Sequence, residues 1–253
     1  MRRTREVWIA ALCLAAVLPA RALGAGYAIY EQGSAVLGMA GAGTASVHDP
    51  SALYFNPAKL TTLEGTQVYL GGNAITLLNS FAGVDPYPGF GVTEEMKPQT
   101  FFPPNVYVTH RFAERFALGA GLNVPYGLGI EWEDPETFTG RSIATDADLQ
   151  SLNANLSAAY AFSPDFSLAA GFNVLFARVE LQQVIQGQLL GGGGQVVDVA
   201  RADLEADYQP DYGWNVAAWW RASEQVQLGA FYRSKVIVDV DGTVDFTPIP
   251  TGD

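Results

Sequence analysis

From Thr66 onward, apolar positions alternate with small or polar ones at a period of two. In 149–162, Leu152, Ala154, Leu156, Ala158, Tyr160 and Phe162 alternate with Ser151, Asn153, Asn155, Ser157, Ala159 and Ala161. The same beat sets Phe116, Leu118, Ala120, Leu122 and Val124 against Ala117, Gly119, Gly121 and Asn123. It continues with Phe166, Leu168, Ala170, Phe172, Val174 and Phe176, and then with Tyr212, Trp214, Val216, Ala218 and Trp220. Near the end, Val226, Leu228, Ala230 and Tyr232 oppose Gln227, Gly229, Phe231 and Arg233. Such regularity means strands with one apolar face and one small or polar face. It predicts seven of them, over about 66–75, 104–112, 115–125, 149–162, 166–181, 212–221 and 226–246.

The links between these strands alternate between short and long. Ala113-Glu114-Arg115, Ser163-Pro164-Asp165 and Ala222-Ser223-Glu224-Gln225 are short, whereas about 76–100, 126–148 and 182–211 are long. A soluble antiparallel sandwich also alternates, but nothing in it keeps every short turn on one side. A barrel crossing an outer membrane does, with short turns in the periplasm and long loops outside. The apolar faces run about ten residues, enough to cross at a tilt. Phe116, Phe162, Phe166, Tyr212 and Trp220 stand near their ends, as interfacial girdles require. The fold class expected is all-β, an antiparallel transmembrane β-barrel.

The start of the chain points to the same compartment. Arg2, Arg3 and Arg5 precede an apolar run from Val7 to Leu18, followed by Pro19 and the small residues Ala20, Ala22, Gly24 and Ala25. This reads as a secretory signal peptide over 1–24. Cys13, the single cysteine, lies inside it, so a processed chain holds no disulfide. No other stretch offers the uninterrupted apolar length of a helical span. The formal net charge is −12, a balance that argues against nucleic acid as a partner. Acidic residues cluster at Glu131, Glu133, Asp134 and Glu136, at Asp146 and Asp148, and at Asp203, Glu205 and Asp207. Two readings fit: cation-bridged contact with lipopolysaccharide, or a solvated loop surface.

Between leader and first strand, residues 25–65 differ in character. Gly33-Ser34-Ala35-Val36-Leu37-Gly38-Met39-Ala40-Gly41-Ala42-Gly43 is followed by Asp49-Pro50-Ser51-Ala52-Leu53-Tyr54-Phe55-Asn56-Pro57-Ala58. Asp49 or Ser51 can cap a short helix that stops before Pro57. The segment is too rich in glycine for a free-standing domain and too apolar to hang in water. Burial in a barrel lumen, as a hatch, resolves the conflict.

These residues resemble the FadL/TodX family of outer-membrane transporters for fatty acids and hydrocarbons. The resemblance rests on Gly26-Tyr27, the small-residue helix, Asn56-Pro57-Ala58, Pro104-Asn105 and Tyr126-Gly127-Leu128. It continues through Leu152-Asn153-Ala154-Asn155-Leu156-Ser157, Gly171-Phe172-Asn173, Ala177-Arg178, Gly213-Trp214-Asn215 and Tyr232-Arg233-Ser234, and so covers 25–246. It implies a monomeric barrel of about fourteen strands in outer-membrane lipid and lipopolysaccharide, taking hydrophobic small molecules and needing no cofactor. In that scheme an apolar groove in the long loops captures the substrate, the mature amino terminus gates it, and it leaves sideways at a kinked strand. By resemblance, Tyr27 stands at the gate, Asn56, Pro57 and Ala58 in the hatch, and Tyr126 and Gly127 at the lateral opening. Leu181, Gln183, Val184, Ile185, Leu189 and Leu190 are the groove candidates.

Two departures bear on the outcome. Gln183 stands where fatty-acid transporters of this family place an arginine, which shifts weight toward uncharged hydrocarbons; both substrate classes stay open. Seven strands also leave two open edges, so 66–253 reads as the first half of a longer barrel, with Thr247–Asp253 entering a fourth long loop. Two rival functions can be weighed, a barrel-borne lipid enzyme and a structural or adhesin barrel. The enzyme needs a serine beside a histidine; only His48 and His110 exist, and both have structural explanations. The adhesin has no use for an apolar hatch. Gly41-Ala42-Gly43 and Gly119-Ala120-Gly121 complete no dinucleotide fingerprint, Gly191–Gly194 reads as a loop tip, and Asp239-Val240-Asp241-Gly242 lacks the first ligand of a calcium loop.

Overall fold

The computed structural model of the protein describes residues 27–188, 196–238 and 241–250. The expected leader (1–24), Leu189, Leu190, Gly191–Gly194 and Asp239-Val240 lie outside the described residues. In chain order the amino-terminal segment forms α1 (Ser34–Leu37), α2 (Ala52–Phe55) and a 3-10 turn (Pro57–Thr62). The strands are β1 (Thr66–Gly72), β2 (Ile75–Leu77), β3 (Ser80–Ala82), β4 (Thr93–Glu95) and β5 (Gln99–Phe101). Then come β6 (Pro104–Ala113), β7 (Phe116–Asn123), β8 (Gly127–Glu131), β9 (Asp146–Ser163) and β10 (Phe166–Gln188). The last are β11 (Val196–Arg221), β12 (Gln227–Arg233) and β13 (Gly242–Pro248).

One antiparallel wall results, in the order β1-β6-β7-β9-β10-β11-β12, with β8 also paired to β9 and β13 also paired to β11. Neighbours in the wall are neighbours in sequence, as an up-and-down barrel requires. The seven expected wall strands are therefore present, but two of them are interrupted. The third, expected unbroken over 115–125, stops at Asn123 and resumes at Gly127, because Pro125 has no N–H for the ladder. The seventh, expected over 226–246, stops at Arg233 and resumes at Gly242. At that point the Ser234 hydroxyl accepts from the Trp214 N–H at 2.9 Å, and the Ser234 N–H donates to the Trp214 carbonyl at 2.9 Å. A side chain thus takes the place of the next backbone partner, and the strand leaves the ladder.

The third expected long loop is largely strand, and the second is shortened at its end. β9 begins at Asp146, while β10 and β11 continue to Gln188 and back from Val196 as a paired hairpin. Beyond the membrane both faces of a hairpin meet water, so pairing persists where alternation fades. The alternation holds through Gln182 and fails after it, where Gln183 takes a position due an apolar residue and Val184 and Ile185 stand side by side. The first long link forms two small pairs, β2 with β5 and β3 with β4.

The two faces of the wall have distinct uses. Outward, Leu156, Phe172, Trp214, Trp220, Leu228 and Tyr232 are exposed, which only a lipid surrounding makes favourable. Aromatic pairs sit toward both ends, Phe112–Phe116 and Phe162–Phe166 beside the short turns, Phe172–Tyr212 and Trp214–Tyr232 higher up. From Tyr212 to Trp220 the strand rises about 27 Å, close to the height of a barrel's apolar band once tilted. Inward, Ala117, Ala159, Ala169 and Ala217 stand opposite one another across β7, β9, β10 and β11. Gly119, Ser157, Gly171 and Asn215 form the next row. The core consists of Val36, Leu53, Phe55, Leu60 and their neighbours in the amino-terminal segment, packed on the alanine row with Tyr107 and Trp219. A Cβ on Gly119 would lie 2.8 Å from Leu53 and 2.9 Å from Leu60, so the segment's close approach requires glycine there.

Candidate functional site

The site grows out of the break at Pro125. Asn123 pairs with Asn153 and Gly127 with Gln150, so the third strand carries one residue more than β9, a bulge that frees backbone groups. The Ser151 hydroxyl donates to the Tyr126 carbonyl at 2.6 Å and accepts from its N–H at 3.0 Å. The start of the amino-terminal segment supplies the remaining partners. Ile29 N–H donates to the Pro125 carbonyl at 2.9 Å, and Gly127 N–H donates to the Tyr27 carbonyl at 2.9 Å. Ala28 and Tyr126 form an antiparallel bridge. The buried Gln32 amide donates to the carbonyls of Val124, at 2.6 Å, and Ile29, at 3.0 Å. Tyr27–Ile29 thus complete a broken strand with chain from elsewhere. The site of a Cβ on Gly127 is 3.0 Å from Ile29 Cδ1.

A cavity of about 470 Å³ lies against this junction, within the range of small-molecule sites. Tyr27, Ile29 and Tyr126 form one side, and Leu128 and Leu149 another. Ile75, Leu77, Phe101 and Phe102, from the first long link, form a third. Its polar lining comprises Glu31, Asp148, Gln150 and Ser151.

Below the cavity the amino-terminal segment is pinned to the wall. Asp49 Oδ1 accepts from the Ser51 N–H at 2.8 Å at the start of α2, while Ser51 itself, the cap by position, makes no side-chain capping bond. Asn56 ends α2 and caps the following turn. Its Oδ1 accepts from Ala58 N–H at 3.1 Å, and its amide donates to Thr44 O at 2.7 Å and Ala218 O on β11 at 3.0 Å. Pro57 opens the turn, where a missing N–H costs nothing. The Ala58 carbonyl accepts from Ser167 Oγ on β10 at 2.8 Å. Arg233 donates to the Tyr54 carbonyl at 3.3 Å and lies 4.5 Å from that ring's centre. Lys59, 1 % exposed, sits 4.6 Å from the centre of the Trp219 ring and donates to Gln227 at 3.5 Å. Burial, and then the Arg221 charge, bring its pKa down from 10.5 to about 8. Burial, then Lys59, lower that of His48, and burial raises that of Tyr54 against the opposing pull of Arg233.

The structure brings Tyr27, Tyr126 and Gly127 together at the cavity. It sets Leu181, Gln183, Val184 and Ile185 on β10, paired with Leu204, Ala202, Arg201 and Ala200, rather than on a free loop. None of these four lines the cavity. Val184 instead borders a more polar hollow of about 330 Å³ beside Glu136, Asp198 and Arg201. Ile29 and the first-link aromatics lie outside the expected strands, where residues carry no period; Leu128 belongs to the Tyr126-Gly127-Leu128 run and Leu149 opens the expected strand over 149–162, but neither position by itself points to a cavity. Arg178 is engaged by Glu180 and, at 2.6 Å, by Glu205. Glu131 and Glu136 pair with Lys97 and Arg201. His110 accounts for itself structurally, 2.7 Å from the Thr66 hydroxyl across the β1–β6 pair. Among the described residues no three His, Cys, Asp or Glu side chains are placed to hold a metal ion, and no helix is long and apolar enough to cross a membrane.

An antiparallel wall with an apolar outer face, a small-residue inner face and an apolar segment seated within defines an outer-membrane β-barrel of the plugged class. Residues 15–249 match the family described as "Outer membrane protein transport protein (OMPP1/FadL/TodX)", and the chain belongs to that family. It is 28% identical over 239 residues to the "Long-chain fatty acid transport protein" of Salmonella typhi, covering 90% of this chain and 54% of that one. It is 30% identical over 234 residues to the "47 kDa outer membrane protein" of Pasteurella multocida (strain Pm70), covering 90% and 53%. The fold is that of a Pseudomonas aeruginosa FadL homologue, with a TM-score of 0.72 at 19% identity over 88% of this chain and 56% of that one. It is also that of the CymD monoaromatic hydrocarbon channel, with a TM-score of 0.61 at 21% identity over 85% and 56%. The chain spans about half the length of the curated relatives it matches.

Proposed function

We propose that the protein lets apolar small molecules cross the outer membrane by binding-assisted diffusion, with residues 25–65 as hatch and Tyr27–Ile29 as gate. The observation that carries this reading is the meeting of three features at one point: an apolar cavity, the break in the wall at Val124–Tyr126, and the chain segment that fills the break. Each methylene moved from water into such a cavity gains about 0.8 kcal/mol, enough for capture without an energy source. Withdrawal of Tyr27–Ile29 unpairs Gly127 and Pro125 and opens the cavity toward lipid. Lipid and lipopolysaccharide surround a barrel that works as a monomer. The names of the relatives, fatty-acid transporters and a hydrocarbon channel, support the same class of cargo.

A tether tests the gate. The bridged pair Ala28 and Tyr126 has the Cα spacing of an antiparallel pair, which suits a disulfide. Ala28→Cys with Tyr126→Cys should abolish uptake of a labelled alkane when oxidised and regain it on reduction. Undiminished uptake through a fully tethered protein would overturn the gate.

A further inference from the structure

We infer that the cavity sorts its occupants by charge, accepting neutral hydrophobes and turning away carboxylates. This rests on the transport reading above and adds the class of cargo. Among the described residues, the two ionisable carboxyl side chains that line the cavity are Glu31, from the amino-terminal segment, and Asp148, from β9, and no lysine, arginine or histidine joins them. Cations lie close by but are committed elsewhere. Arg178, paired across the strand with the cavity residue Gln150, is held between Glu180 and Glu205. Lys97 is held by Glu131.

Three of the neutral polar side chains are engaged as well, which leaves the hydroxyls of Tyr27 and Tyr126 as the neutral side-chain donors facing the cavity. Gln150 donates to Asp148 Oδ2 at 2.8 Å, and its amide oxygen accepts from the Tyr208 hydroxyl at 2.8 Å. Ser151 spends its hydroxyl on Tyr126. Among the described residues an incoming carboxylate would find two like charges and no cation to offset its loss of water. A neutral molecule gains the same apolar contacts and avoids that cost. Like charges a few ångströms apart at a half-solvated site separate the two classes by about tenfold or more.

The test uses the full-length protein in phosphatidylcholine nanodiscs at pH 8, with tritiated 1-dodecanol and dodecanoate, each corrected for partition into empty discs. The two probes share a chain length and differ in charge. Dodecanol should bind at least about tenfold more tightly. Glu31→Gln with Asp148→Asn should raise the affinity for dodecanoate by about tenfold, a gain that misfolding cannot produce. Equal affinity for both probes, or a dodecanoate affinity unmoved by the double substitution, would overturn charge sorting and leave hydrophobe binding intact. Specific binding of neither probe would overturn the transport reading itself.

Discussion

At the scale of single residues, the amino-terminal segment is held by few but well-placed groups. Asn56 makes three hydrogen bonds while buried, one of them to the wall. Asn56→Ala leaves the Thr44 and Ala218 carbonyls without that partner, at about 1–3 kcal/mol for each buried group stranded. Limited proteolysis should then cut faster within 30–63 while the barrel stays intact on gels. Lys59 makes the docking pH-dependent. Its pKa of about 8 in place lies below that of a free lysine, so the seated segment binds fewer protons than the released one between about pH 8 and 10.5. Docking therefore strengthens as pH rises through that window and is weakest below it. Protease protection measured at pH 7.5 and 9.5 should rise in the native protein and stay level in Lys59→Met. Gly127 acts through what it lacks. Gly127→Leu overpacks the contact with Ile29 by about 1–3 kcal/mol, and should lower the yield of the disulfide between cysteines at 28 and 126.

At the scale of elements, the two faces of each strand answer different demands, and sequence shows this only where the demands differ. Within the membrane, Leu152 to Phe162 and Phe166 to Phe176 mark their strands to within a few residues, since one face needs lipid and the other a small or polar neighbour. Outside it, Gln182–Gln188 pairs with Val196–Asp203 without any face being apolar, and the pairing leaves no trace in the pattern. The breaks were half legible: Pro125 was visible as a proline, but only the structure shows Ile29 and Tyr27 taking up the freed groups. The resemblance located Tyr27, Tyr126 and Gly127. The lining from Ile75, Leu77, Phe101 and Phe102 had to await the fold, because those residues meet only when β2 pairs with β5. The alanine row offers its own test. Ala159→Leu adds bulk to the buried cluster that also holds Leu53 and Leu60, with no change on the lipid face. It should leave barrel assembly intact and expose the amino-terminal segment to protease.

At the scale of the whole molecule, the described wall is an open sheet with β1 at one edge and β12 at the other. Each unpaired backbone group in lipid costs several kcal/mol, so stable insertion requires further strands to join those edges. The inner face has a second consequence, an electrical one. A pore conducts ions when water fills it from end to end. Here the rows of alanine and glycine hold Val36, Leu53, Phe55 and Leu60 instead of water, and a hydrocarbon seat carries no current. The assembled protein in a planar bilayer should be silent under an applied voltage, however freely alkanes pass, and Asn56→Ala should bring discrete current steps. On the proposed function, the same small side chains that let the segment dock would let a cell admit oily molecules without leaking its ions.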